Sequence, residues 1–114
     1  MTVPDAVCSL PELDTLLLQG NKVAALPQSI TAMTNLTMLN LSANSLLLLP
    51  EKMGRLVCMR DLDLSGNREL RDLPTSIGLG CVEMRRLILA DMSHLRLPSN
   101  ITNMRKLEVL HVAS

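Results

Sequence analysis

The chain has 114 residues, and its 11 Lys and Arg side chains balance 11 Asp and Glu side chains, so the formal net charge is zero. This balance excludes the strongly basic surface of a nucleic-acid binder and the polybasic segment of a membrane-surface anchor. Hydrophobic residues make up 47% of the chain, which excludes intrinsic disorder, and the absence of Trp, Tyr and Phe excludes base-stacking platforms and aromatic cages.

Five short segments with apolar residues at alternate positions predict β-strands that each bury one face. In chain order they lie at residues 16–18, 39–41, 62–64, 87–89 and 110–112. Each interval between strands contains a Leu-Pro pair, and the apolar residues that follow it have helical spacing. We therefore expect a short helix or 3₁₀ segment between successive strands, with Pro at its first position.

These elements recur as a repeat. Full units begin at Leu13, Leu36, Met59 and Met84, with spacings of 23, 23 and 25 residues, and a further unit begins at Leu107. The chain starts inside a Val3-Pro4 half-unit, so both ends are partial repeats. A unit of this size cannot bury its apolar stripe alone, but stacked units with parallel strands can. We interpret residues 1–114 as a single domain and expect it to be an excerpt of a longer array.

The unit reads LxxLxLxxN followed by LPxxIxxL, and this pattern resembles the leucine-rich repeat family. The second half is similar to the intracellular subclass of Ras-pathway scaffold and Ras-suppressor proteins, and a similar half also occurs in plant and pathogen-sensing receptors. The resemblance implies an α/β, right-handed solenoid. It would have a parallel concave sheet of about five short strands and short helical or 3₁₀ segments on the convex side. It also implies that a protein partner, such as a small GTPase or another signalling protein, binds on the concave face.

The sequence departs from this pattern at two places. Met92 stands where Asn21, Asn44 and Asn67 stand in the other units. Because Met cannot donate or accept the turn hydrogen bonds of Asn, we expect a looser or water-filled fourth turn. The third unit has two additional residues, which predict a bulged turn near residues 68–69 and a distorted convex segment near residues 78–80.

Side chains that flank the buried Leu of each strand are predicted to point outward. Several of them are apolar, and an outward apolar set on a concave sheet suggests a partner site. The alternatives are an unused sheet or one covered by a neighbouring domain. The candidate partner-binding residues are Leu17, Met38, Asn40, Asp61, Asp63, Arg86, Ile88, Val109 and His111.

Catalysis and metal binding have little support among these residues. Asp61 and Asp63 form a pair of carboxylates, but no pocket or nucleophile accompanies them. A surface ion pair between Asp61 and Arg86 is the favoured interpretation, and binding to a basic partner is the next alternative. His94 and His111 have no metal-ligand spacing to other residues. His94 occupies a position where a buried aliphatic residue is expected, so it should turn outward or strain that turn. We predict no enzyme activity, no cofactor and no metal.

Three cysteines without a Cys-x-x-Cys motif predict free thiols in a reducing compartment. Cys58 and Cys81 are expected to be buried or half-buried, and Cys8 to be exposed. No signal peptide or membrane-spanning run is visible, so a cytoplasmic location is expected, and the glycosylation sequons at Asn35, Asn40 and Asn100 are interpreted as incidental.

The predicted function is a non-enzymatic protein-interaction module in intracellular signalling or scaffolding. The alternative is a structural spacer or sensor segment of a larger protein, such as a kinase, a ubiquitin ligase or an immune-type receptor. Leu47 and Leu48 exceed what the repeat needs, and they are candidates for a lateral contact with another domain.

Overall fold

The alternating segments form a parallel five-stranded sheet whose strands are ordered as they occur in the chain. The computed structural model describes residues 3–92 and 94–110, without the side chains of residues 109 and 110. The strands are β1 (Thr15–Leu17), β2 (Met38–Asn40), β3 (Asp61–Asp63), β4 (Arg86–Ile88) and β5 (Glu108–Leu110). Together with the short helical segments that connect them, they confirm the predicted α/β solenoid.

The connecting segments are mostly single helical turns. The α-helices are α1 (Asp5–Cys8) and α2 (Ser76–Gly80), and the 3₁₀ segments are Gln28–Ala32, Met53–Arg55 and Ser99–Asn103. Pro4, Pro27 and Pro98 precede their segments as N-caps with extended backbone, with ψ of 142°, 149° and 148°. The prediction that Pro occupies the first helical position is therefore wrong by one residue, because the Leu-Pro pair still belongs to the extended chain that enters the turn.

The core lies between the sheet and these convex segments. The middle Leu of each of the first four strands and the Leu two residues later are all buried, with at most 9% of their surface exposed; they are Leu16, Leu18, Leu39, Leu41, Leu62, Leu64, Leu87 and Leu89. Each such side chain contributes about 1.5–3 kcal/mol by leaving water. Because every unit shares this apolar layer with its neighbours, the core is continuous along the stack.

Two buried asparagines connect the turns that follow β2 and β3. Asn44 Oδ1 accepts the N–H groups of Asn21 and Val23 at 2.9 and 3.0 Å. Asn67 has no exposed surface, accepts the Leu46 N–H at 3.1 Å, and donates to the carbonyls of Leu41 and Leu64. These amides satisfy backbone groups that the short strands leave unpaired.

At the fourth turn, where Met92 replaces this asparagine, the side chain is buried with 3% exposure. Its surroundings are an apolar hollow of about 160 Å³ lined by Leu89, Met92, Leu95 and Leu97. The ladder of buried amides thus gives way to apolar packing at this turn.

The third unit accommodates its two additional residues without distortion. Leu70 N–H donates to the Asn67 carbonyl at 3.1 Å, which closes a hydrogen-bonded turn where a bulge was predicted. In the convex segment, Cys81 N–H donates to the Ile77 carbonyl four residues earlier, so a regular α-helical turn replaces a 3₁₀ turn. The predicted distortion of the convex segment is therefore wrong, because one residue is the difference between these two kinds of turn.

Close backbone contact between convex segments depends on glycine. A Cβ atom on Gly80 would overlap the backbone of Gly54 in the preceding unit, including its carbonyl oxygen. The two glycines therefore allow α2 to pack closely against the 3₁₀ segment Met53–Arg55.

The fifth strand departs from the period of the repeat. In the sheet Arg86 pairs with Glu108, Leu87 with Val109 and Ile88 with Leu110. The 23-residue spacing predicts instead that Val109 pairs with Arg86 and that His111 pairs with Ile88. The predicted register is thus wrong by one residue at this edge, where β5 has no further strand among the described residues to fix its alignment.

Candidate functional site

The face of the sheet opposite the core presents two rows of side chains. Strand pairing aligns Thr15, Met38, Asp61 and Arg86 in the first row, at the start of the strands, and Leu17, Asn40, Asp63 and Ile88 in the second row, at their ends. Neighbours in a row are separated by one strand spacing, about 4.8 Å. Seven of the nine predicted site residues therefore lie on one surface, which we call the strand face.

The first row contains the predicted ion pair. Arg86 Nε lies 3.9 Å from Asp61 Oδ1, and the two side chains are 52% and 29% exposed. This distance is long for a hydrogen bond, so the pair is a solvated surface contact of less than about 1 kcal/mol. The interpretation of Asp61 as an ion-pair partner is confirmed.

In the second row, two polar side chains are fixed by the turns that follow them. Asn40 Oδ1 accepts the N–H of Ser42 at 3.0 Å and its hydroxyl at 2.7 Å. Asp63 Oδ1 accepts the N–H of Ser65 at 3.0 Å. Because a local backbone bond orients each side chain, little conformational entropy is left to lose when a partner binds.

Apolar side chains flank these polar groups. Leu17 is 55% exposed at the β1 edge of the strand face, and Met38 and Ile88 are half-buried on either side of β3. Between them lies a shallow hollow of about 200 Å³, lined by Met38, Leu39, Asn40, Asp61, Asp63, Arg86 and Ile88. Six of these seven lining residues belong to the predicted site.

The remaining two predicted residues do not join this group. Val109 lies opposite Leu87 in the backbone register, not beside Arg86 as predicted. His111 lies outside the described residues.

A second hollow, of about 560 Å³, lies where β4 and β5 begin and was not predicted. Arg85, Arg86, Lys106 and Glu108 line it. Beside it, Lys106 Nζ donates to Glu83 Oε2 at 2.8 Å. This bond and the Lys106 charge lower the pKa of the Glu83 carboxyl, and Arg60 and Arg85 act in the same direction. The 23-residue spacing of Glu83 and Lys106 was the signal in the sequence that could have revealed this pair.

The convex side carries a third hollow, of about 310 Å³, between α2 and the preceding 3₁₀ segment. Its lining residues are Glu51, Lys52, Gly54, Arg55, Ser76, Leu79 and Gly80. Ser76 Oγ already donates to the Glu51 carbonyl and accepts the Gly54 N–H, so its hydroxyl is engaged in holding the two units together.

The cysteines differ from their predicted environments. Cys8 is buried and Cys58 is exposed, so both predictions are wrong, while Cys81 is buried as expected. Cys8 is covered because α1 packs on the neighbouring unit, and Cys58 is exposed because it lies in the turn that leads into β3. Burial raises the pKa of the Cys81 thiol to about 11, so this group is unreactive at neutral pH.

His94 is exposed, as predicted. Within residues 3–92 and 94–110, no group of three or more His, Cys, Asp and Glu side chains could hold a metal ion. In the same residues, no helix has the length and apolar character that crossing a membrane requires. At the sequons, Asn35 Nδ2 donates to the Pro11 carbonyl and Asn100 Nδ2 to the Thr75 carbonyl.

Comparison with known proteins supports the repeat. The leucine rich repeat family model matches residues 11–68, about half of the chain. The chain belongs to the leucine-rich repeat family. A sequence search of curated proteins found no match.

Two solved structures resemble this leucine-rich repeat chain. A leucine-rich repeat protein of Leptospira interrogans has 34% sequence identity and a TM-score of 0.81 over 95% of the chain. The plant peptide hormone receptor RGFR1, solved in complex with RGF2, has 23% identity and a TM-score of 0.53 over the whole chain, a likeness of fold alone. The chain spans only 28% and 27% of the lengths of these two proteins.

Proposed function

We propose that this leucine-rich repeat chain is a non-enzymatic protein-interaction module whose partner binds on the strand face. The observation that carries the proposal is the hollow of about 200 Å³, in which Met38 and Ile88 lie on either side of Asp61 and Asp63. An exposed apolar set beside oriented polar groups is typical of a surface that recognises another protein. Leucine-rich repeat domains are commonly protein-interaction modules, so the family agrees with this surface.

The strand face is also suited to recognition because it is rigid. Its side chains stand on strands whose other face is packed into the continuous Leu core. Binding residues held by such a scaffold need little rearrangement when a partner docks. Since Trp and Tyr are absent, the anchors of the interface are Met, Ile, Leu and Arg, and we expect a modest, transient affinity.

The proposed setting is intracellular signalling or scaffolding in the cytoplasm, similar to that of the Ras-suppressor subclass. All three cysteines are free thiols, and Cys58 is exposed, which suits a reducing compartment. The small GTPase that this resemblance suggests has no support in the residues of the strand face. The proposal therefore describes the partner only as a protein.

A second candidate function is a spacer or sensor segment within a larger protein. Leu47 and Leu48 favour it, because they are 60% and 59% exposed at a lateral position away from the strand face. A neighbouring domain packed on these two leucines would remove them from water.

The two functions are separated by disrupting each surface in turn. The strand-face variant carries Asp63→Arg with Ile88→Asp, and the matched lateral variant carries Leu47→Asp with Leu48→Asp. Circular dichroism first checks that both fold, and each then captures proteins from native lysate beside the unmodified chain. We expect the strand-face variant to lose partners that the lateral variant retains. Unchanged capture by the strand-face variant would contradict the proposal, and loss confined to the lateral variant would support the spacer function.

A further inference from the structure

We propose that the segment recognised on the strand face carries a Lys or Arg that pairs with Asp63 and an adjacent apolar side chain that packs on Ile88. This inference rests on the proposed function, because it specifies the chemistry of the partner at the same surface. It follows from the unequal surroundings of the two aspartates on β3.

Asp61 already has a cationic neighbour. It lies between Met38 and Arg86 in the first row, and the Arg86 guanidinium approaches it to 3.9 Å. Asp63 lies between Asn40 and Ile88 in the second row, and both of these neighbours are uncharged. Among the described residues, no cationic side chain comes within 4.0 Å of the Asp63 carboxylate. Asp63 thus has no ion-pair partner in the part of the chain that the structure describes.

The Asp63 carboxylate is also prepared for a partner. Its Oδ1 accepts the Ser65 N–H at 3.0 Å, which orients the carboxylate. No hydrogen bond to Oδ2 occurs among the described residues, and the residue is half-buried. A charge-assisted bond made to such an oriented group is stronger than one made to a freely rotating surface carboxylate.

The other charges near the strand face give the partner a direction. Arg60 and Arg85 are exposed just before β3 and β4, and Arg86 opens the first row, so three positive charges lie where these two strands begin. Glu108 lies opposite Arg86 in the backbone register at the β5 edge. Asp63 is the last residue of β3, so a cationic side chain that approaches from the carboxyl ends of the strands stays farther from these three arginines.

Apolar contact supplies the second half of the recognition. Ile88 is the direct cross-strand neighbour of Asp63, about 4.8 Å away along the ladder. Met38 lies on the other side of β3, one row lower, and lines the same hollow. A partner side chain that follows a Lys or Arg therefore reaches an apolar surface without leaving the hollow. A segment that binds here needs a cation for Asp63 and an apolar side chain for Ile88 next to it. A uniformly basic segment does not meet this requirement.

The test is selection of binders from a random peptide library displayed on phage, with the unmodified chain as bait. Peptides that the Asp63→Arg, Ile88→Asp variant fails to bind define the strand-face set. We expect this set to be enriched in Lys or Arg beside an apolar residue. Asp63→Asn should weaken the binding of such peptides roughly fivefold to tenfold. Asp63→Lys should shift the selection to acidic peptides, and the matched control Asp61→Asn should keep the basic preference.

The outcomes separate this inference from the proposed function. A strand-face set without basic residues would overturn the inference and leave the proposed function standing. Basic peptides that are weakened by Asp61→Asn but not by Asp63→Asn would also overturn it, because the anchor would then be Asp61. If no selected peptide is lost by the double variant, the strand face is not a binding surface and both proposals fail.

Discussion

The buried amide of Asn67 should account for a large part of the stability of the stack, and Asn67→Met tests this. The substitution puts a Met at the third turn, where the fourth turn already has Met92. It removes three hydrogen bonds: the Leu46 N–H loses its acceptor at 3.1 Å, and the carbonyls of Leu41 and Leu64 lose donors at 2.9 and 2.7 Å.

The cost follows from which of these backbone groups finds another partner. The Leu41 carbonyl keeps the bond from Asn44 Nδ2, so it remains satisfied. The Leu46 N–H belongs to a residue with no exposed surface, and a buried donor without an acceptor costs about 1–3 kcal/mol. With about 1 kcal/mol for each of the other two bonds, the free energy of unfolding should fall by about 3–5 kcal/mol. The apolar surface that Met adds offsets little of this, since the site is shaped for the smaller Asn.

The measurement is urea denaturation followed by far-ultraviolet circular dichroism, because the chain has no Trp or Tyr to report by fluorescence. At about 1–3 kcal/mol per molar of urea, the midpoint should fall by more than about 1 M. The matched control is Asn21→Met, since Asn21 is half-buried and donates to the Leu18 and Gln19 carbonyls near solvent. This control should cost about 1 kcal/mol or less. If the two variants lose the same free energy of unfolding, the argument that burial determines how much the amide contributes to stability is refuted.

Two further predictions concern α2 and the thiol that follows it. Gly80→Ala should lower the free energy of unfolding by about 1–3 kcal/mol, because the added Cβ would meet the Gly54 backbone. The control is Leu79→Ala, in the same helix and 69% exposed, which should change the free energy of unfolding by less than about 0.5 kcal/mol. Equal urea midpoints for the two variants would contradict the close packing. Burial raises the pKa of Cys81 from 9.0 to about 11, so the thiol stays protonated to a higher pH in the folded state than in the unfolded state. The stability that the neutral thiol contributes is present below pH 9.0 and lost as the pH rises to about 11, by about 2–3 kcal/mol. Urea midpoints at pH 9 and pH 11 should differ more for the unmodified chain than for Cys81→Ala, and equal differences would exclude the thiol as the cause.

Much of the fold could be predicted from local patterns. Alternation around Leu16, Leu39, Leu62 and Leu87 fixes which face of each strand is buried, because a shift by one residue would expose every Leu. A nearly constant spacing then makes the strands stack in parallel, and the outward residues from Leu17 to Ile88 follow from the same alternation.

The register of β5 shows where local patterns were insufficient. The spacing predicted Val109 beside Arg86, yet Val109 pairs with Leu87. An edge strand is aligned from one side only, so the repeat pattern constrains it less than it constrains β2 or β3.

The sequence by itself determined the repeated unit, the buried leucines and the residues that share the strand face, because these depend on periodicity along the chain. Only the tertiary structure decided that Cys8 is covered and Cys58 exposed, and that α2 packs on the Gly54 backbone. It also decided that Asp63, unlike Asp61, has no ion-pair partner among the described residues. These differences depend on distances between atoms of neighbouring units, which the order of residues within one unit does not specify.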